Sequence, residues 1–230
     1  MIITYLLEQT SPSARAHCVL AHADAVLARG YVVRIATTDD PVTWRTSRAE
    51  WTYVDGLERA RGDVFVATSP ETAQIAYDLA PTHSVQLVFG DAVQLPIAKL
   101  PMGPIVDEEV FRIRTPRENE PMRVLLAGAS QDETAGITNG YGAIAHARWF
   151  HQRLDLVRIA PWAPSREEPL DSVQEFHVGL SSAEAMRVMH SCDLVVAPLR
   201  REAAVGLDAA MALAAGIPVV ATDVAAHHFD

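Results

Sequence analysis

Short apolar runs dominated by Ile, Val and Leu alternate with Ala-rich stretches of helical period, and that alternation constrains the architecture of this chain more than any other feature. Met1-Ile-Ile-Thr-Tyr-Leu-Leu7 reads as a buried strand. Thr10-Ser-Pro-Ser-Ala14 follows as a hydroxyl-rich turn with Pro12 placed to open a helix, and an Ala, Val and Leu pattern then runs to Arg29, where Gly30 stops it. Tyr31 to Thr37 returns as a second strand, rich in β-branched residues. A crossover of this kind joins parallel strands. The pattern continues with a short strand over Trp51 to Val54, a buried one over Asp63 to Ala67, a helix over Ser69 to Leu79 opened by Ser69-Pro70, and a strand over Ser84 to Phe89.

Between Gly90 and Pro121 the period fades into a stretch holding Pro96, Pro101, Pro104, Pro116 and Pro121, with a charged run from Arg112 to Glu120, which reads as a linker between packing units. A second series opens with Met122-Arg-Val-Leu-Leu-Ala-Gly128, a strand ending in glycine. It continues with a helix from about Thr138 to Phe150, a strand over Leu154 to Ala160 and another near Phe176. A helix over Ser181 to Ser191, a strand over Asp193 to Ala197, a helix over Val205 to Ala214 and a strand over Ile217 to Thr222 close it. The expected fold class is therefore α/β, with two tandem Rossmann-like domains, residues 1–104 and 105–230. No internal repeat of solenoid period is present.

Composition narrows the function classes. Of 230 residues, 49% are apolar, enough for a buried core, and 29 acidic against 19 basic side chains give a formal charge of −10. Duplex recognition needs clustered Lys and Arg, so nucleic acid is not an expected partner. Lys99 is the sole lysine, so nearly all positive charge is guanidinium, the group suited to bidentate phosphate or carboxylate contacts. The amino terminus lacks the basic and apolar segments of a signal peptide, and no apolar run approaches the ~20 residues that span a bilayer. Cys18 and Cys192 have no partner at metal spacing and read as buried, reduced thiols, which together with the missing leader implies a cytoplasmic setting. His17 and His22 lie five apart and point to different faces of their helix, and the other histidines form no ligand pair completed by an acid, so no metal is expected.

The segment from Phe176 to Asp223 resembles the donor-binding half of GT-B glycosyltransferases, specifically the retaining nucleotide-sugar group similar to glycosyltransferase family 4. The resemblance rests on Gly179, Ser181, Glu184, Asp193, Pro198, Glu202, Gly206, Leu207, Ala210-Met211-Ala212, Gly216 and Pro218-Val-Val-Ala-Thr222. Val106-Asp-Glu-Glu-Val-Phe111 is similar to the family's interdomain segment, and Arg123 to Gly128 to the strand that opens its nucleotide domain. The first half is similar more weakly, through Ala21 to Ile35.

The resemblance implies a two-domain enzyme that takes a nucleotide-activated sugar in the cleft between its domains. It transfers the sugar with retention of configuration to a sugar, lipid-linked or small-molecule acceptor, with no cofactor and no metal. Gly128, Ser130, Arg201, Gly206 and Leu207 are the expected donor-binding residues, since glycine lets backbone approach a ligand and a helix N-terminus offers N–H groups to a diphosphate. Glu202 is expected to hold sugar or ribose hydroxyls, because a carboxylate accepts hydrogen bonds in fixed geometry. Asp91, near a sheet edge expected to face the cleft, joins it as a catalytic candidate. Each has a plainer reading: tight turns for Gly128 and Gly206, a solvated acid for Glu202, a capping acid for Asp91.

Several positions depart from the family pattern. The family's Arg and Lys after the opening glycine are missing from Ala129-Ser-Gln-Asp-Glu-Thr-Ala-Gly136, leaving Arg200 or Arg201 to substitute. Its second glutamate falls at Ala209, with Asp208 turned about 100° away on the helix. These losses keep open a second reading, a catalytically silent GT-B-like binding or scaffold module. By the resemblance, a further α/β turn and a long terminal helix should follow the last strand, so the second domain is expected to be incomplete.

Overall fold

Strand β1 (Ile2–Leu7) is buried over its last four residues, Thr4, Tyr5, Leu6 and Leu7, as befits a strand covered on both faces. The structure, a computed structural model, describes residues 1–40, 42–89, 93–106, 113–115, 121–151, 153–200 and 206–224. The chain divides into two units, Met1–Ile105 and Val106–Asp230.

In the first unit β1 leads to helix α1 (Ala14–Ala28) and strand β2 (Val32–Thr37), then to β3 (Glu50–Tyr53), β4 (Val64–Ala67), helix α2 (Pro70–Leu79), β5 (Ser84–Val88) and β6 (Ala98–Pro101). The strands pair in the order β3-β2-β1-β4-β5-β6, all parallel. Helix α1 starts two residues later than Pro12 indicates: Ser13 is its cap, its Oγ accepting the Ala16 N–H at 3.1 Å. Strand β6 lies inside the stretch read from sequence as linker. It forms because an edge position tolerates Pro101 at its end and needs no apolar alternation, all four of its residues being exposed. The core on the α2 face joins Leu6, Ala36, Phe65, Ala73 and Ala76.

The two histidines of α1 diverge as expected. His17 stacks on Trp44 with ring centroids 6.4 Å apart, while Nδ1 of His22 meets the Tyr5 hydroxyl at 2.7 Å. Among the described residues no group of three or more His, Cys, Asp or Glu side chains is placed to hold a metal, and no helix is long and apolar enough to cross a membrane.

The second unit repeats the plan with β7 (Met122–Ala127), α3 (Ile137–Phe150), β8 (Leu154–Ala160), β9 (Glu175–Val178), α4 (Ser182–His190), β10 (Leu194–Ala197), α5 (Leu207–Ala214) and β11 (Val219–Ala221). Its five parallel strands run β11-β10-β7-β8-β9. The chain thus builds outward from β7 to β9, returns, and continues from β10 on the other side. This reversal creates a topological switch point between β7 and β10, where ligands of open α/β sheets bind beyond the carboxyl ends of the strands. The α3 face is packed by Val124, Leu126, Leu154 and Leu156 of the sheet against Ile137, Tyr141 and Ile144 of the helix. Each fully buried aliphatic side chain there contributes about 1.5–3 kcal/mol.

At the opposite face and end of this sheet, Arg123 joins three segments. Its guanidinium donates to Glu175 of β9, to the Ser191 carbonyl at 3.0 Å and to the Ser191 hydroxyl at 3.1 Å, while its N–H donates to Asp193 at 2.9 Å. The other Glu175 oxygen meets Nε2 of His177 at 2.7 Å. The hydrogen bond from Arg123 holds the Glu175 carboxyl below its usual range against the opposing effect of burial, with His177 adding in the same direction. A carboxyl whose pKa is depressed by folding stabilises the fold above its unfolded-state pKa, and that contribution is lost as pH falls through the folded-state value. Unfolding free energy measured in urea from pH 7 to pH 3 is therefore expected to fall less steeply for Glu175→Gln than for the parent chain. Identical acid profiles would show that this network contributes nothing.

Candidate functional site

The two strands flanking the switch point of the second unit each lead into a helix that begins on a left-handed glycine. Gly136 (φ 64°) precedes α3 and Gly206 (φ 60°) precedes α5, and neither helix has a side-chain cap. Among the described residues the other three α-helices are all capped by serine, through Ser13, Ser69 and Ser181. A serine cap occupies an N–H of the first turn, and the two glycine-led helices have no side-chain oxygen of a cap residue in that role. A left-handed residue followed by right-handed ones also turns consecutive N–H groups into one concavity, a backbone arrangement suited to anions. Each helix start adds the equivalent of roughly half a positive charge.

The loops carrying these glycines are fastened together. The Arg200 N–H after β10 donates to the Thr134 carbonyl at 2.9 Å, and Thr222 beyond β11 donates its hydroxyl to the Leu199 carbonyl. Gly136 sits against Pro198 so closely that a Cβ there would overlap the Pro198 carbonyl oxygen. Gly140, one turn into α3, would place a Cβ 2.6 Å from Leu126 Cδ1 and 3.1 Å from Pro198 Cγ. These glycines let α3 start hard against the β10 loop. On the other side, Gln131 donates to the Ala163 carbonyl at 2.8 Å and accepts from Trp162 Nε1 at 2.8 Å, and Ser130 Oγ accepts the Ser165 N–H at 3.1 Å. The loops after β8, β7 and β10 thus form one continuous hydrogen-bonded rim.

Beneath that rim lies a buried ion pair. Arg158 of β8 is fully buried, and its Nε donates to Glu168 Oε1 at 2.8 Å; Tyr141 of α3 donates its hydroxyl to the same oxygen at 2.8 Å. Arg158 Nη1 donates to the Leu126 carbonyl at 3.3 Å and to the Ile159 carbonyl, and the guanidinium lies 5.9 Å from the Phe176 ring centroid. Arg158 Nη2 and Glu168 Oε2 have no hydrogen-bond partner. Burial, followed by the Glu168 carboxylate that its hydroxyl bonds, raises the Tyr141 pKa, so the tyrosine remains a neutral donor. The pair fixes the first half of α3 to β8 and to the loop after it.

Of the residues expected from sequence to contact a donor, Gly206 and Leu207 stand at the start of α5. Leu207 is buried, so its backbone N–H is what it offers. Gly128 ends β7 at φ 124°, and the space beside it is taken by Ile137 Cδ1, 3.2 Å from a Cβ built there. Its conformation shapes the loop. Ser130 has both sides of its hydroxyl engaged, accepting the Ser165 N–H at 3.1 Å and donating to Gln131 Oε1 at 3.4 Å. Asp91, Arg201 and Glu202 lie outside the described residues. Sequence reasoning passed over Gly136, Arg158 and Glu168. A glycine immediately before a helical pattern signals the first, and an arginine inside the apolar run Leu-Asp-Leu-Val-Arg-Ile-Ala signals the second. No local signal pairs Glu168 with it.

The loop from Ala129 to Gly136 carries Asp132 and Glu133 and no basic residue; Asp132 accepts the Thr134 N–H at 2.8 Å. Among the described residues of the β7 and β10 loops, positive character comes from the two helix starts and from Arg200, whose side chain is exposed and has its Cγ near Gly136.

Comparison with known proteins agrees with this fold. The family described as "Glycosyl transferases group 1" matches residues 156–229, within the second unit. No curated protein matches the sequence significantly. Among solved structures, WaaG, a glycosyltransferase involved in lipopolysaccharide biosynthesis, is similar at a TM-score of 0.66 and 16% identity, over 99% of this chain and 82% of that one. Anabaena HepE in complex with UDP and glucose is similar at 0.70 and 12%, over 97% and 81%. Sucrose-phosphate synthase from Thermosynechococcus elongatus is similar at 0.69 and 13%, again over 97% and 81%. At such identities the likeness is one of fold: two parallel-sheet α/β units of the GT-B type.

Proposed function

We propose that this chain is a glycosyltransferase that seats the diphosphate of a nucleotide-sugar donor on the rim of its second unit and transfers the sugar with retention of configuration. The observation that carries this reading is the pair of glycine-led, uncapped helix starts on the two strands flanking the switch point. A diphosphate leaving group develops negative charge as the glycosidic bond breaks, and preorganised N–H donors aimed at that charge lower the barrier. The group 1 match and the GT-B neighbours support the same chemistry; HepE was solved with UDP-glucose.

In this reading Arg200 or Arg201 replaces the missing basic pair, Glu202 grips sugar or ribose hydroxyls, and Asp91 contacts donor or acceptor. Ser130 donates from the loop by exchanging its 3.4 Å bond to Gln131 Oε1 for one to the donor, and Gly128 shapes the loop. No metal or cofactor takes part. The acceptor is a sugar, a lipid-linked saccharide or a small hydroxyl compound, and the setting is the reducing cytoplasm, consistent with free, buried Cys18 and Cys192.

Titration calorimetry against UDP, GDP and TDP and their glucose conjugates tests the reading. One nucleotide family is expected to bind, and Arg200→Ala to weaken it by about tenfold, the effect of losing one charge-assisted contact. Absence of heat at millimolar ligand overturns it. The acidic 129–136 loop and Ala209 favour a second reading, a silent binding module. Nucleotide binding without sugar transfer to any acceptor selects that one, and the anomer of a product followed by NMR decides retention.

A further inference from the structure

Trp162, the second residue after β8, is 38% exposed, yet its indole is held in place. Nε1 donates to Gln131 Oε1 at 2.8 Å, while Gln131 Nε2 donates to the Ala163 carbonyl at 2.8 Å. The one polar group of the indole is thus engaged by the rim, and what it presents to solvent is apolar ring. The loop around it is fixed as well, through the Ser165 N–H on Ser130 Oγ and through Glu168 in the buried ion pair. Among the described residues of the segments that follow the five strands of the second unit, up to the next helix or strand, Trp162 is the one aromatic side chain.

The end of β9 lies one strand over. Val178 pairs with Ala160 and is 45% exposed, and the Gly179 N–H donates to the Ala160 carbonyl at 2.9 Å. Gly179 is left-handed at φ 63°, and a Cβ built on it would meet the Pro161 carbonyl oxygen at 3.6 Å and no other described atom within 4 Å. An indole, an exposed valine and side-chain-free backbone therefore border open space at the carboxyl ends of β8 and β9.

The diphosphate seat fixes which part of a donor reaches this place. Neighbouring strands lie about 4.8 Å apart, and the order β11-β10-β7-β8-β9 puts the end of β8 one strand from the crevice between β7 and β10. A diphosphate held at the starts of α3 and α5 carries the sugar on one phosphate and the nucleoside on the other. A nucleoside directed toward β9 crosses the end of β8 within roughly 5–10 Å, one to two strand spacings. On the other side, beyond β11, the described residues Thr222, Asp223 and Val224 offer no ring.

We propose that Trp162 is the platform on which the nucleobase of the donor lies, face to face with the indole, with Val178 and Gly179 along its edge. The inference rests on the reading of the rim as a diphosphate seat, and it adds the residue that favours a nucleotide over a plain phosphate ester. Every base has a π face, so stacking supplies affinity for the class without selecting one base. The bond from Nε1 to Gln131 fixes the ring beforehand, which reduces the ordering entropy lost on binding.

The test is calorimetry of the full chain with inorganic pyrophosphate, UDP, GDP, TDP and UDP-glucose. A nucleotide is expected to bind more tightly than pyrophosphate, and Trp162→Ala to weaken it about tenfold or more while pyrophosphate binding is unchanged. Arg200→Ala is expected to weaken both. Trp162→Phe keeps a stacking face, so it retains most of the nucleotide affinity and loses the quenching of tryptophan fluorescence that nucleotide causes in the parent chain. Both variants are expected to keep the parent's urea midpoint, measured alongside. Equal nucleotide affinity of the parent and Trp162→Ala overturns the proposal, as does an equal loss for pyrophosphate, which makes Trp162 a support of its loop only. A loss seen with UDP-glucose and not with UDP assigns the indole to the sugar and also overturns it. Equal binding of pyrophosphate and nucleotides by the parent refutes the platform alone, whereas binding of neither refutes the diphosphate seat and the platform with it.

Discussion

Replacement of Glu168 by glutamine is expected to lower the unfolding free energy of the second unit by about 3–5 kcal/mol, as found when one partner of a buried ion pair is removed. Arg158 is fully buried and Glu168 almost so, and the guanidinium has no second carboxylate among the described residues to turn to. Glutamine keeps a hydrogen-bond acceptor for Tyr141 but leaves an uncompensated cation inside the unit. The double variant Arg158→Met/Glu168→Leu removes both charges and fills similar volume, and it should recover most of the loss, since apolar replacements of buried pairs are often neutral or better. Urea unfolding followed for the second unit distinguishes the cases. A Glu168→Gln variant as stable as the parent would show that water or an alternative partner already satisfies Arg158.

The second large effect is expected at Gly136. An alanine there must adopt a left-handed conformation, at about 1–2 kcal/mol, and its Cβ would overlap the Pro198 carbonyl oxygen, a backbone atom that cannot rotate aside. Gly136→Ala should therefore destabilise the second unit by more than about 3 kcal/mol or push α3 away from the β10 loop, with nucleotide affinity falling at least tenfold. Gly142→Ala in the same helix is the control. A Cβ at Gly142 meets nothing within 4 Å, so helix propensity predicts a gain of about 0.5–1 kcal/mol and unchanged ligand binding. Equal effects of the two substitutions would remove Gly136 from any special role.

The order of strands and helices is legible in the sequence because it depends on local signals: apolar runs, glycine stops and hydroxyl caps. Strand β6 escapes because an exposed edge strand has no buried face to impose alternation, and Pro96 and Pro101 resemble linker punctuation. The start of α1 is misplaced by two residues because Ser13 outcompetes Pro12 for the helix boundary. Within the site, Gly206 and Leu207 are readable from their position ahead of an Ala-rich helix. Ser130 is readable only as a polar loop residue, since its tie to Ser165 spans 35 positions. The Arg158–Glu168–Tyr141 cluster is hidden for the same reason: its members come from a strand, a loop and a helix that only folding brings together.

Ser13, Ser69 and Ser181 finish their own helices with a side-chain oxygen, whereas α3 and α5 begin on glycine and have no such oxygen of their own. A bound anion on these two helices would do the work that serine does on the other three. Part of the secondary structure of the second unit is then left for its ligand to complete, and occupancy and helix order rise together.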